Sequence, residues 1–118
     1  DKIIARGYNL KEITADSTAH AEIVAIRKAS KKLGWRLLDT TMYVTLEPCI
    51  MCMGALIQAR IPELIFACYD PKGGAAGSLY NLSNDKRLNH RIKLTTGIMA
   101  MECEKMLKDF FKNLRGGF

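Results

Sequence analysis

Cys49-Ile50-Met51-Cys52 places two thiols three residues apart, one above the other if the segment is helical. At the start of a helix, free backbone N–H groups and the positive dipole end favour thiolate over thiol. Two thiolates about one turn apart can reach a single zinc ion, for which cysteine is a preferred ligand. A redox pair or two packed core cysteines would show the same spacing. His20-Ala21-Glu22 narrows the choice. One imidazole and two thiolates make three ligands, and a three-ligand zinc keeps its fourth position open for water. Two thiolates cancel the ion's charge, so that water needs a nearby base, and Glu22 is the available one. Taken separately, His20 and Glu22 read as ordinary polar residues of a helix start. Cys68 or Cys103 could instead close a structural site, but both lie in apolar stretches where a buried thiol is the usual reading.

This chemistry needs elements that bring position 20 to positions 49–52. The first helix is expected over Thr18–Leu33, with Ile23, Ile26, Ser30 and Leu33 on one face and Gly34 as the stop. Thr41–Leu46 is rich in β-branched and aromatic residues and reads as a strand. Pro48 suits the opening of a second helix over Cys49–Arg60, and Pro62 prevents its continuation. Leu64–Cys68 is a continuous apolar run, as in a strand buried on both faces. Ile3–Tyr8 is strand-like, and Ile92 and Leu94 alternate with polar residues as in a half-exposed strand. The Gly73–Gly77 cluster is a loop. Met99, Cys103, Met106, Phe110 and Leu114 share one face of a last helix, with lysines between. The order strand, helix, strand, helix, strand, loop, strand, helix points to an α/β layered sheet.

A length of 118 residues fits one domain, 1–118. Apolar residues at 48% and charged residues at 25% exclude a disordered composition. Such a chain can bury a core without disulfides. With no secretory signal visible, its four unevenly spaced cysteines fit cytosolic metal or thiol chemistry. No apolar run approaches the roughly 18 residues of a membrane-spanning helix. Basic residues outnumber acidic ones 18 to 12, a net +6. Residues 1–36 carry +4, 37–85 carry −3 and 86–118 carry +5. Positive flanks around a slightly acidic middle suit a polyanionic partner held beside a site that itself needs no positive charge.

His20-Ala21-Glu22 followed by Pro48-Cys49-Ile50-Met51-Cys52 resembles the signature of the zinc-dependent nucleoside deaminases. The likeness extends along essentially the whole chain. Gly7-Tyr8-Asn9, Thr18–Glu22, Tyr43–Cys49, Asp70–Ser78, Asn89-His90-Arg91 and Phe110-Phe111 follow in order. That succession is similar to the bacterial tRNA-specific adenosine deaminases, within the zinc-dependent cytidine/deoxycytidylate deaminase superfamily. Ala76-Gly77-Ser78, Asn89-His90-Arg91 and the paired phenylalanines are more specific than the zinc signature, which cytidine and guanine deaminases share. Two positions depart from the pattern: Tyr8, where Trp is common, and Met53, where a small residue is usual.

The resemblance implies a three-layer α/β/α cytidine-deaminase-like fold, with a mixed central sheet and helices on both faces. In the family a helix and a strand come before the segment that opens here, so the resemblance implies an N-terminally truncated domain lacking that first helix and first strand, in which Ile3–Tyr8 would present an unpaired edge. It implies hydrolytic deamination of adenosine to inosine at the wobble position of the tRNA anticodon. In that reading a zinc-activated water attacks, with one Zn2+ per chain held by His20, Cys49 and Cys52, and Glu22 shuttles protons. Asn9, Ala21, Asp70, Lys72, Asn89, Phe110 and Phe111 become substrate or RNA contacts. Phe110 and Phe111 point about 100° apart on a helix, so one is free to stack on a splayed base. Lys105, Lys108, Lys112 and Arg115 would then meet phosphates. The anticodon stem-loop is the implied partner, a homodimer the implied assembly and the cytoplasm the implied location. Met51, Met53 and Leu56 fit either a dimer surface or core packing. Two other readings stand beside this one. The first is a deaminase of a free nucleoside, nucleotide or base (guanine, cytidine or deoxycytidylate). The second is a non-catalytic zinc-containing RNA-binding module, in which Glu22 would have no use.

Overall fold

The computed structural model describes residues 2–97. Strands β1 (Thr41–Leu46), β2 (Glu63–Cys68) and β3 (Lys93–Thr96) form one sheet in that order, every pair parallel. The register aligns Met42 with Leu64 and Leu94, and Val44 with Phe66 and Thr96. The short helix α1 (Lys11–Thr14), then α2 (Ala21–Leu33), precede β1, and α3 (Ile50–Gln58) connects β1 to β2. Parallel neighbours require such a crossover. The core joins Leu64 and Phe66 of β2 to Met53, Leu56 and Ile57 of α3 and Ala29 of α2. Phe66, Met53, Leu56 and Leu64 are fully buried, and each contributes about 1.5–3 kcal/mol of apolar transfer. Met53 and Leu56 are therefore core residues and not part of an exposed dimer surface. Tyr43 points to the opposite face of the sheet and is exposed.

The helix ends differ from the sequence expectation in an informative way. Helix α2 starts at Ala21 and not at Thr18, because the Asp16 carboxylate accepts hydrogen bonds from the Thr18 N–H (2.9 Å) and hydroxyl (2.7 Å) in a turn. His20 is the N-cap residue, extended in backbone, and its carbonyl accepts the Val24 N–H at 3.0 Å. Cys49 is likewise the N-cap of α3, with the Met53 N–H donating to its carbonyl at 2.9 Å. At its far end α3 stops at Gln58, two residues short of the expected Arg60. Arg60 has a left-handed φ of 61° and its guanidinium caps the Ile57 carbonyl.

Ile3–Tyr8 is not a strand. Its composition suits a sheet, but no described segment offers it a ladder, and strand propensity without a partner forms nothing. The sheet expected to be mixed is purely parallel among the described residues. The segment packs on α2 instead. A Cβ on Gly7 would overlap the Ala21 carbonyl oxygen and lie 2.8 Å from the Ala25 nitrogen. The Lys32 ammonium donates to the Ile4 carbonyl at 2.6 Å, and Arg6, Lys28, Lys31 and Lys32 line one open groove with Ile3–Ala5. Gly7→Ala is expected to cost about 1–3 kcal/mol, the range of overpacking, because the Ala21 oxygen and Ala25 nitrogen are backbone atoms that cannot turn aside. Urea denaturation with an unchanged midpoint would show that the segment is not docked this way. The expected last helix, with Cys103, Lys105, Lys108, Phe110, Phe111, Lys112 and Arg115, lies outside the described residues, as does any layer it supplies. The described helices α2 and α3 share the core on one face of the sheet.

Candidate active site

The carboxyl ends of neighbouring parallel strands open onto a common crevice, where α/β proteins place their ligands. Here β1 ends at Leu46, opposite Cys68 at the end of β2. Glu47-Pro48-Cys49 leads directly from β1 into α3. His20, at the head of α2, meets the head of α3 across this junction. Its Nδ1 is 3.6 Å from Cys49 Sγ and 3.5 Å from Cys52 Sγ, and all three donor atoms lie within 4.8 Å of one another. A tetrahedral ion bound about 2.3 Å from sulfur and about 2.0 Å from nitrogen would hold those atoms about 3.5 Å apart. The donor set therefore fits a metal ion in both chemistry and spacing. Both helices present their positive N-terminal ends to it, which favours the thiolate form a metal requires.

Cys52 is fully buried. Burial pushes its thiol well above the ordinary value, reinforced by the Glu22 charge, by Cys49 and by hydrogen bonds to both. A bound cation inverts that balance and deprotonates a coordinating thiol. Glu22 is thus close enough to Cys52 to act on its thiol by charge and by a hydrogen bond. Glu22 is the second residue of α2 and His20 its cap, so one helix start delivers both ligand and acid.

Asn9 and Leu10 run alongside the same helix start. The Leu10 N–H donates to the Ala19 carbonyl at 2.9 Å, and Asn9 Oδ1 accepts the Lys11 N–H at 3.0 Å as α1 begins. Asn9 thus does turn work with its oxygen and remains exposed. Ala21 is the first residue of α2, under Gly7. Asp70 and Lys72 sit in the 70–78 loop, whose Gly74 bridges Cys49 and whose Ala75 N–H donates to the Pro48 carbonyl at 2.9 Å. Asp70 Oδ1 accepts the Lys72 and Gly73 N–H groups at 3.1 and 3.2 Å, and Lys72 is exposed. Asn89 is exposed beside His90, whose Nε2 is 2.8 Å from the Ile61 carbonyl. No hydrogen bond among the described residues joins it to the His20–Cys52 group. Phe110 and Phe111 lie outside the described residues.

Sequence reasoning missed Glu47. It is 3% exposed, the only buried charged side chain among the described residues. Its Oε1 accepts the Asp70 N–H at 3.0 Å and the Ser78 hydroxyl. Its Oε2 accepts the Ala76 N–H at 2.8 Å and the Ser78 N–H at 3.0 Å. Burial pushes its pKa up, but the Ser78 hydroxyl and amide and the Asp70 and Ala76 amides outweigh it and hold the carboxyl below the usual range. The signal available in the sequence was an acid directly before Pro48-Cys49 with a glycine-rich loop downstream. Its burial was not legible there.

The family model for MafB19-like deaminases matches residues 1–115. A tRNA-specific adenosine deaminase of Bacillus subtilis is 48% identical over 115 residues, which make up 97% of this chain and 71% of that protein. A solved structure from work on A-to-I editing by tRNA:A34 deaminases at the wobble position of transfer RNA matches with a TM-score of 0.84. It is 40% identical, over 88% of this chain and 76% of its own. A guanine deaminase from Nitrosomonas europaea matches with a TM-score of 0.70 at 25% identity, over 88% of this chain and 63% of its own.

Proposed function

The chain belongs to the MafB19-like deaminase family and to the tRNA-specific adenosine deaminases, and from that premise we propose that it converts adenosine to inosine at the wobble position of a tRNA anticodon. The observation that carries the reading is the metal-ligand spacing of His20, Cys49 and Cys52, with Glu22 supplied by the same helix start as His20 and acting on Cys52. A structural site has no use for an acid in that place. His20 Nδ1, Cys49 Sγ and Cys52 Sγ would hold one zinc ion. When bound, zinc supplies Lewis-acid activation of water. The Glu22 carboxylate takes a proton from the attacking water and delivers it to ring N1 of adenine as C6 is attacked. It then takes the remaining proton from the new C6 hydroxyl and passes it to the departing amino group, so that water and adenosine leave as inosine and ammonia.

The RNA contacts proposed for this site are Asn9, Ala21, Asp70, Lys72, Asn89, Phe110 and Phe111. Asn9, Ala21 and the 70–78 loop border the donor group through the Leu10–Ala19 and Cys49–Gly74 pairings. The groove lined by Arg6, Lys28, Lys31 and Lys32 adds phosphate-facing charge to the positive N-terminal flank. The assembly is a homodimer, to which exposed Ile50, Leu79 and Tyr80 beside the Cys49–Gly74 bridge contribute apolar surface. No described helix is long and apolar enough to cross a membrane, and the proposed setting is the cytoplasm, where tRNA is processed.

The test is inosine formation in a synthetic anticodon stem-loop, with zinc content measured on the same sample. The expected result is one zinc per chain and conversion of the wobble adenosine alone. Faster release of ammonia from free adenosine, guanine or cytidine than from the stem-loop would overturn the tRNA assignment.

A further inference from the structure

The buried Glu47 carboxylate spends all its hydrogen-bonding capacity on one loop. Four donors, from Asp70, Ala76 and Ser78, converge on its two oxygens, about the number of lone pairs a carboxylate offers. Gly74 completes the cradle, since a Cβ there would fall inside the Glu47 carboxyl group. The main chain of the same segment is tied down too. The Glu47 N–H donates to the Cys68 carbonyl at 2.8 Å, and the Pro48 carbonyl accepts from Ala75 at 2.9 Å. Glu47 is two residues from the ligand Cys49, and the loop it binds carries Asp70 and Lys72.

We propose that Glu47 is a positioning residue: its carboxylate is the template on which the 70–78 loop folds, and it sets Asp70 and Lys72 at a fixed distance from Cys49 to receive RNA. Without an anion at this point, three backbone N–H groups of the loop would face a buried space with no acceptor. An apolar residue of the same size could fill the volume but could not order the loop. The RNA part of the inference rests on the functional reading above, and the ordering of the loop does not.

The test compares wild type with Glu47→Gln and Gly74→Ala in the zinc-loaded chain. Glutamine keeps the volume but turns an NH2 group toward backbone donors. Alanine at 74 displaces the carboxylate without altering its charge, and so gives a second route to the same loosening. In both variants amide exchange at Ala76 and Ser78 should rise at least about 10-fold, as expected on losing hydrogen bonds to a charged acceptor. Exchange at Leu56 in α3 should stay as in wild type, with one zinc per chain retained. The KM for the stem-loop should rise about 10-fold with kcat within about threefold, because losing a pre-ordered loop acts mainly on ground-state binding. Wild-type exchange at Ala76 and Ser78 in either variant would overturn the proposal. So would loss of zinc, or a fall in kcat with KM unchanged, since either would move the role of Glu47 to the metal. If the wild-type chain forms no inosine, the functional reading fails, and the exchange measurement still decides whether Glu47 holds the loop.

Discussion

Glu22→Gln is expected to slow deamination by about 10²–10⁴-fold, the range for removing a positioned general acid–base group. Glutamine has nearly the same shape, and Glu22 is not one of the three donors, His20, Cys49 and Cys52, that lie within 4.8 Å of one another. Zinc should therefore remain at one per chain. The loss belongs to proton transfer and should appear in kcat, with stem-loop affinity close to wild type. Single-turnover inosine formation on zinc-quantified protein is the measurement. Near-normal turnover at full zinc occupancy would remove Glu22 from the chemistry.

Cys52→Ala should be more severe and different in kind. Cys52 is wholly buried at the head of α3, 3.5 Å from His20 Nδ1. Altering a group behind a ligand already costs about 10–100-fold in metal affinity, so losing the ligand itself should cost at least about 10²-fold. Two donors cannot hold the ion in a defined geometry, and inosine formation should fall to background. The variant should also lose metal-dependent stability. Wild type at a zinc concentration about 1,000 times its Kd gains about 4 kcal/mol over the metal-free chain, and Cys52→Ala should melt at the same temperature with zinc or with a chelator. Metal analysis and paired melting curves check both halves. A variant that retains one zinc per chain would show that Cys52 is a core thiol and no ligand.

The contrast between these variants also separates the alternatives that the spacing of Cys49 and Cys52 left open. A redox pair would respond to loss of either thiol and ignore Glu22. A structural zinc would respond to Cys52 and ignore Glu22 in turnover. Only an open, catalytic centre responds to both, through zinc content in one case and kcat in the other.

Much of the site was legible in the chain because its signals are local. Pro48 and Pro62 bracket α3, Gly34 stops α2, and the apolar run at Leu64–Cys68 became the central strand β2. Each depends on backbone sterics or on side-chain periodicity over a few residues. The identities of His20, Glu22, Cys49 and Cys52 likewise restricted the chemistry before any fold was known, because few side chains bind zinc or move protons near neutral pH.

Residue identity and local spacing therefore specify the list of reactive groups and the helices and strands that carry most of them. The remaining features arise from packing between distant segments. Ile3–Tyr8 has the composition of a strand, but a strand exists only where another segment completes its hydrogen bonds, and this one lies against α2. The meeting of His20 with two thiols some thirty positions away depends on α2 and α3 sharing a core at the carboxyl ends of parallel strands. Glu47 looked like any acid near a proline. Only the fold buries it and surrounds it with the amides of a distant loop. Local propensities act over a few residues, whereas burial and donor–acceptor convergence are properties of the packed chain.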